Sequence, residues 1–162
     1  MNQFIRGRVA SLFLAIWTTC GLTLALATSS CSTFNHEWEK ASAAPPPACE
    51  MTGRWEGSWV SEVNGHRGRL RCLVSRLDDR SYRARFNATY WKCFRFGYAV
   101  NLTVTREPTG AFKFQGEADL GWWGGGVYHY DGHANPGDFV STYRSEYDHG
   151  TFQMARPDTI VP

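Results

Sequence analysis

After residue 50 the chain alternates apolar and polar positions with the period of two that marks a β-strand whose one face is buried. In Gly53-Arg54-Trp55-Glu56-Gly57-Ser58-Trp59 the two tryptophans share parity with the two glycines. A first strand over residues 51–60 would therefore turn Trp55 and Trp59 to one face, with Gly57 leaving room between them. Arg54, Glu56 and Ser58 would take the wet face. The cleanest run is 82–90, with Tyr82, Ala84, Phe86, Ala88 and Tyr90 opposed to Arg83, Arg85, Asn87 and Thr89. Further runs place Tyr98, Val100, Leu102 and Val104, then Phe112 and Phe114, on an inner face. Tyr128 and Tyr130, Phe139 and Tyr143, and Phe152 and Met154 follow the same rule. The second run, 69–77, is ambiguous, because Leu70, Cys72 and Val74 compete with Leu73 and Leu77 for the inner face.

Turn signals separate these runs at near-regular intervals: Asn64-Gly65, Asp78-Asp79-Arg80, residues 92–97, Pro108-Thr109-Gly110, Gly124-Gly125-Gly126, Asn135-Pro136-Gly137 and Asp148-His149-Gly150. Asn-Gly and Pro-x-Gly supply the dihedral angles of tight turns. Seven turns define eight strands, and no helical period interrupts them. Short connections make sequential neighbours antiparallel. Closure of the sheet would remove its exposed edges. The fold expected is all-β, an eight-stranded antiparallel up-and-down barrel over residues 50–157 with a tail at 158–162. A sandwich of two four-stranded sheets is the alternative.

The N-terminal third has a different pattern. Residues 1–8 carry Arg6 and Arg8 and no acid, residues 9–27 are uncharged and mostly apolar, and Thr28-Ser29-Ser30 are small. That order is an export signal over residues 1–30, although 19 uncharged residues are also close to a membrane span. Residues 31–49 show no apolar period and include Pro45-Pro46-Pro47, so a disordered linker is expected there.

Composition narrows the function classes. Aromatic residues make up 15% of the chain, which suits strands. The formal net charge of +2 gives no bulk electrostatic case for a nucleic-acid partner. Charge is unevenly placed. Residues 67–95 carry nine basic side chains against Asp78 and Asp79, whereas 117–158 carry seven acids against Arg144 and Arg156. The expected result is a solvated strand exterior that is electrically dipolar, with a basic face for acidic polymers or lipid headgroups as the sharper alternative.

Two resemblances follow from particular residues. Ala27-Thr28-Ser29-Ser30-Cys31 resembles the bacterial lipoprotein signal, departing from it at Thr28, where an aliphatic residue is usual. It implies lipid attachment at Cys31, export to the bacterial cell envelope and membrane anchoring. Cleavage after Ala25-Leu26-Ala27, giving a soluble secreted or periplasmic protein, and an uncleaved anchor stay open. Gly53-Arg54-Trp55, opening a meander of this length, resembles the calycin superfamily of lipocalins, fatty-acid-binding proteins and avidin-like barrels. The chain departs from lipocalins in running into Pro157 with no amphipathic helix after its last strand. No biotin-site pattern can be carried over. The opening Gly-Arg-Trp-Glu-Gly also resembles exported bacterial domains, which implies location and not activity.

Three cysteines follow Cys31. Cys72 and Cys93 could form a disulfide between the second strand and the end of the third, which would stabilise the fold by ~3 kcal/mol; two free thiols are the alternative. His129, Asp131 and His133 alternate on one strand face and are metal-ligand types. Yet positions i and i+4 of a strand are more than about 12 Å apart, so no metal site is assigned and metal dependence is kept as an alternative. No catalytic triad, carboxylate pair or phosphate-binding loop stands out, so no enzyme activity and no cofactor are expected. Adjacent Trp122 and Trp123 in a glycine-rich connection cannot both point inward. The function expected is binding of a small apolar or amphipathic ligand. Trp55, Trp59, Phe86, Tyr128, Tyr130 and Tyr143 would line the interior, with Trp122 and Trp123 at the rim. A dry structural or protein-interaction barrel, its protein partner unspecified, is the alternative.

Overall fold

The computed structural model describes residues 33–43, 50–90 and 94–157. Eight strands follow one another: β1 (Gly53–Ser61), β2 (Arg67–Arg76), β3 (Ser81–Tyr90), β4 (Phe94–Arg106), β5 (Phe112–Asp119), β6 (Val127–Ala134), β7 (Asp138–Arg144) and β8 (His149–Ala155). Each pairs antiparallel with its sequence neighbour, and β1 pairs with β8, so the sheet is a closed barrel rather than a two-sheet sandwich.

Closure depends on a close approach at Gly57. A methyl group built there would overlap the carbonyl oxygen of Gln153 on β8, so the absence of a side chain lets β1 and β8 pair where the barrel shuts. The gap at Gly57 is thus filled by backbone, not by the neighbouring tryptophans.

The inner parity is the one the alternation predicts. Phe86 and Leu102 are each 2% exposed. Register settles β2: Leu70, Cys72 and Val74 are buried, while Leu77 faces solvent at 55% exposure. Two boundaries differ from expectation. The turn expected over 92–97 is shorter, because Tyr90 already pairs with Phe94 and residues 94–97 belong to β4. The Gly-rich connection after β5 holds a 3₁₀ turn, Trp122–Gly124.

The chain divides into two compact units, Met1–Glu37 and Trp38–Pro162. Residues 33–42 are helical, which corrects the expectation of a disordered linker across 31–49. Within the second unit Trp38 is 6% exposed, with the guanidinium carbons of Arg54 and Arg71 5.4 Å and 5.1 Å from its ring centroid. Part of the basic exterior therefore serves as a platform for an indole. The export signal, Cys31, residues 44–49, residues 91–93 and the 158–162 tail lie outside the described residues.

Candidate functional site

The two ends of the barrel are built differently. At the end bearing the β2–β3, β4–β5 and β6–β7 turns, the interior is packed. Trp55 is fully buried, 5.5 Å from Phe139, which is itself 4.7 Å from Phe114. The Trp55 indole donates to the carbonyl of Met51 at 2.9 Å, and the Arg156 guanidinium lies 3.7 Å from its ring centroid. The space left at this end is small, about 140 Å³ beside Tyr82, Val104 and Phe112.

The other end, where β1–β2, β3–β4, β5–β6 and β7–β8 connect, opens into a cavity of about 560 Å³. That volume falls within the ~300–1,000 Å³ usual for small-molecule sites. Its floor is a layer of Leu70, Tyr98, Tyr130 and Phe152. Phe86 packs against this floor, 5.1 Å from Tyr98 and 5.5 Å from Phe152. On one wall Trp59 stacks on Tyr90 at 6.0 Å and donates from its indole to the Thr89 carbonyl at 3.3 Å. The Tyr90 hydroxyl in turn lies 2.8 Å from Nδ1 of His66. Gly68 makes this possible, since a methyl group there would strike the Thr89 carbonyl and the Trp59 indole.

Tyr128 and Tyr143 join Phe152 and Tyr130 of the floor in a closed circuit of rings. Successive centroids are 6.0, 5.0, 6.0 and 6.4 Å apart. The Tyr143 hydroxyl donates toward the Val60 carbonyl and Oδ2 of Asp148, each at 3.3 Å, while Ser61 Oγ donates to Oδ1 of Asp148 at 2.6 Å. Burial raises the pKa of Tyr98, Tyr130 and Tyr143 well above the usual tyrosine range. Tyr130 reinforces the rise at Tyr98, and the Asp148 charge does so at Tyr143. The hydroxyls are therefore neutral donors at physiological pH.

Of the residues expected to line a ligand site, Trp59, Trp123, Tyr128, Tyr130 and Tyr143 border the cavity. Trp55 and Phe86 instead belong to the packing beneath it, because the cavity occupies only one end of the barrel. Trp122 stands 83% exposed and Trp123 92% exposed on the 3₁₀ turn, edge-on to one another at 4.6 Å. The turn is held by Gly121, Gly125 and Gly126, all at positive φ, and by a bond from the Gly121 amide to Oδ1 of Asp119 at 2.8 Å. Phe94, Phe96, Leu120 and Asp148 also border the cavity. The first two fall in the turn expected over residues 92–97, where strand parity does not apply. Nothing in the alternation marks a loop aspartate.

The disulfide expectation is corrected at Cys72, which is a free, fully buried thiol whose pKa is raised by burial. Cys72 pairs with Phe86, whereas Phe94, the residue after Cys93, pairs with Tyr90. Four residues of strand, roughly 13 Å at ~3.3 Å per residue, separate Phe86 from Tyr90. Cys93 itself lies outside the described residues. His129, Asp131 and His133 all stand on the exposed outer face of β6, and His129 Nδ1 lies 3.2 Å from Oε2 of Glu117 on β5. Among the described residues no group of three or more His, Cys, Asp or Glu side chains is arranged to hold a metal ion.

Comparison with family models, curated proteins and solved structures finds no match to this chain. Function must be argued from the cavity.

Proposed function

We propose that the protein is a non-enzymatic, envelope-anchored lipoprotein whose calycin-like barrel holds a small apolar or amphipathic ligand in its open end. The observation that carries the proposal is the asymmetry of the interior: one end is packed around Trp55 and leaves only about 140 Å³, while the other is hollow, about 560 Å³, and walled by aromatic rings. A barrel of eight strands can be filled by its own side chains or can hold one small molecule. Here Ala88, a small side chain on the cavity wall, leaves space that a larger residue would have filled. The export order of residues 1–30, the Cys31 signal and the opening Gly53-Arg54-Trp55 support the location and the superfamily.

The test is native mass spectrometry of the protein purified from its own host. It should show a retained mass that is lost in Ala88→Trp, where the indole projects into the cavity from β3. A bare chain in both would reject the ligand. Anchoring is tested separately, because Cys31→Ser should release the protein from membranes, and unchanged association would reject lipidation at that residue.

The rim favours a second reading. Among the described residues, nine large apolar side chains are exposed, and all but Leu77 stand at the open end. That concentration suits docking of the mouth on another surface. Loss of vesicle or protein association in Trp122→Ala/Trp123→Ala, with ligand retention intact, would favour it.

A further inference from the structure

The chemistry around the cavity names the class of ligand, on the assumption that the cavity is a ligand site as proposed above. Among the described residues two charged ones border it, Arg95 and Asp148, and they point their charges differently. Arg95 occupies an outward position of β4, alternating with Phe94, Phe96 and Tyr98, and is exposed. Its charge is felt by Arg71, on the outer wall. Asp148 is tied to the inside. Its carboxylate accepts from the hydroxyl of Tyr143, an inward residue 5% exposed, and from Ser61 Oγ. The connection fixes it in place. The Asp148 amide donates to Ser145 Oγ at 3.0 Å, and the Ser145 amide donates to the Asp148 carbonyl at 2.7 Å.

Among the described residues both donors to the carboxylate are neutral hydroxyls, and neither cancels its negative charge. A carboxylate offers about four lone-pair sites, and these two bonds leave capacity for another donor. Next to it stands the circuit of Tyr128, Tyr143, Phe152 and Tyr130, whose ring faces are electron-rich. A cation near such faces gains ~0.5–2 kcal/mol or more as water is excluded. A negative group would meet repulsion from the same faces and from Asp148.

We infer that the cavity selects amphiphiles bearing a protonated amine or quaternary ammonium head, held by Asp148 and the four-ring circuit, with the apolar part toward Leu70 and Ala88.

Three ten-carbon probes, each below its micellar concentration, test this with the full-length chain by titration calorimetry at low salt: decyltrimethylammonium, decyl sulfate and decanol. The ammonium should bind at least tenfold more tightly than the sulfate. In Asp148→Asn the ratio should fall to within about threefold of unity. Should Asp148→Asn lose its strand circular dichroism, Tyr128→Leu replaces it. Removal of that one ring face should weaken the ammonium at least threefold more than decanol. Equal binding of ammonium and sulfate, or a preference surviving both substitutions, overturns the inference and leaves the ligand site standing. Binding of none of the three overturns the ligand site itself, and this inference with it.

Discussion

The guanidinium carbon of Arg156 lies over the buried indole of Trp55, 3.7 Å from the ring centroid, and caps the closed end of the barrel. Its Nη atoms donate to the main-chain carbonyls of Thr52 at 2.7 Å, Arg54 at 3.2 Å and Glu50 at 2.8 Å. One planar cation thus covers the indole and ties the end of β8 to the entry of β1. Burial lowers the Arg156 pKa to about 10, so it is charged at neutral pH. Arg156→Ala should cost about 2–3 kcal/mol of stability, as charge-assisted bonds are lost and carbonyls are left without a donor. Arg156→Lys should recover less than half, because an ammonium cannot present the planar fork. Urea midpoints of the two variants check this. A lysine variant matching wild type would show that charge alone matters.

Closure at Gly57 should be as sensitive. Gly57→Ala places a methyl group against the Gln153 carbonyl and the Met154 Cα, both backbone of β8 and neither the flexible end of a side chain. A loss of about 2–3 kcal/mol is expected, with amide exchange accelerated first along the β1–β8 seam. Uniform protection across the sheet would reject the seam as the weak point.

The buried tyrosines give the fold an alkaline limit. Folded Tyr98, Tyr130 and Tyr143 have pKa values raised above the unfolded value of about 10. Above that pH the unfolded chain releases protons that the native state keeps. The stability they contribute is complete below about pH 10 and declines as pH rises further. Arg156 acts in the opposite sense above its folded value, but it is one group against three. Urea midpoints from pH 8 to 11.5 should be level and then fall. The phenolate absorbance of these tyrosines should appear only with unfolding. Smooth phenolate titration in the folded protein would contradict the burial.

Trp122 and Trp123 should separate function from stability. They contact little besides each other, so alanine at either position should shift stability by less than about 0.5 kcal/mol. Ligand retention should still drop for Trp123→Ala, since Trp123 borders the cavity. A destabilisation above about 1 kcal/mol would mark them as a structural plug.

Cys72 is expected to stay unmodified by a thiol reagent in the native protein and to react in urea without any reductant. Peptide mapping after alkylation reads this directly. If labelling of Cys72 in urea required prior reduction, the residue would be bridged and the free thiol disproved.

Much of the barrel was legible along the chain because a strand with one dry face writes its parity at every second residue. Tyr82 to Tyr90 shows this most plainly, and turns such as Asn64-Gly65 punctuate it. The pattern faltered at Leu70–Leu77, where both faces carry leucine, and only pairing with Trp55 and Phe86 chose between them. It also faltered at Phe94 and Phe96, whose neighbours Arg95 and Gly97 resemble a turn. Parity assigned Trp55, Phe86 and Tyr130 to the inside without distinguishing core from cavity, because depth along the barrel axis leaves no trace in alternation.

By itself the sequence determined which face of most strands would be dry, the alternating aromatic one, since burial of alternate positions is a local property of each strand. Tertiary structure alone decided that one end is packed and the other hollow. It also decided that Cys72 is a fully buried free thiol, and that Asp148 meets Tyr143 and Ser61 beside four rings. Those outcomes depend on the register and stagger of strands distant in sequence, and on where small residues such as Gly57, Gly68 and Ala88 fall against their partners.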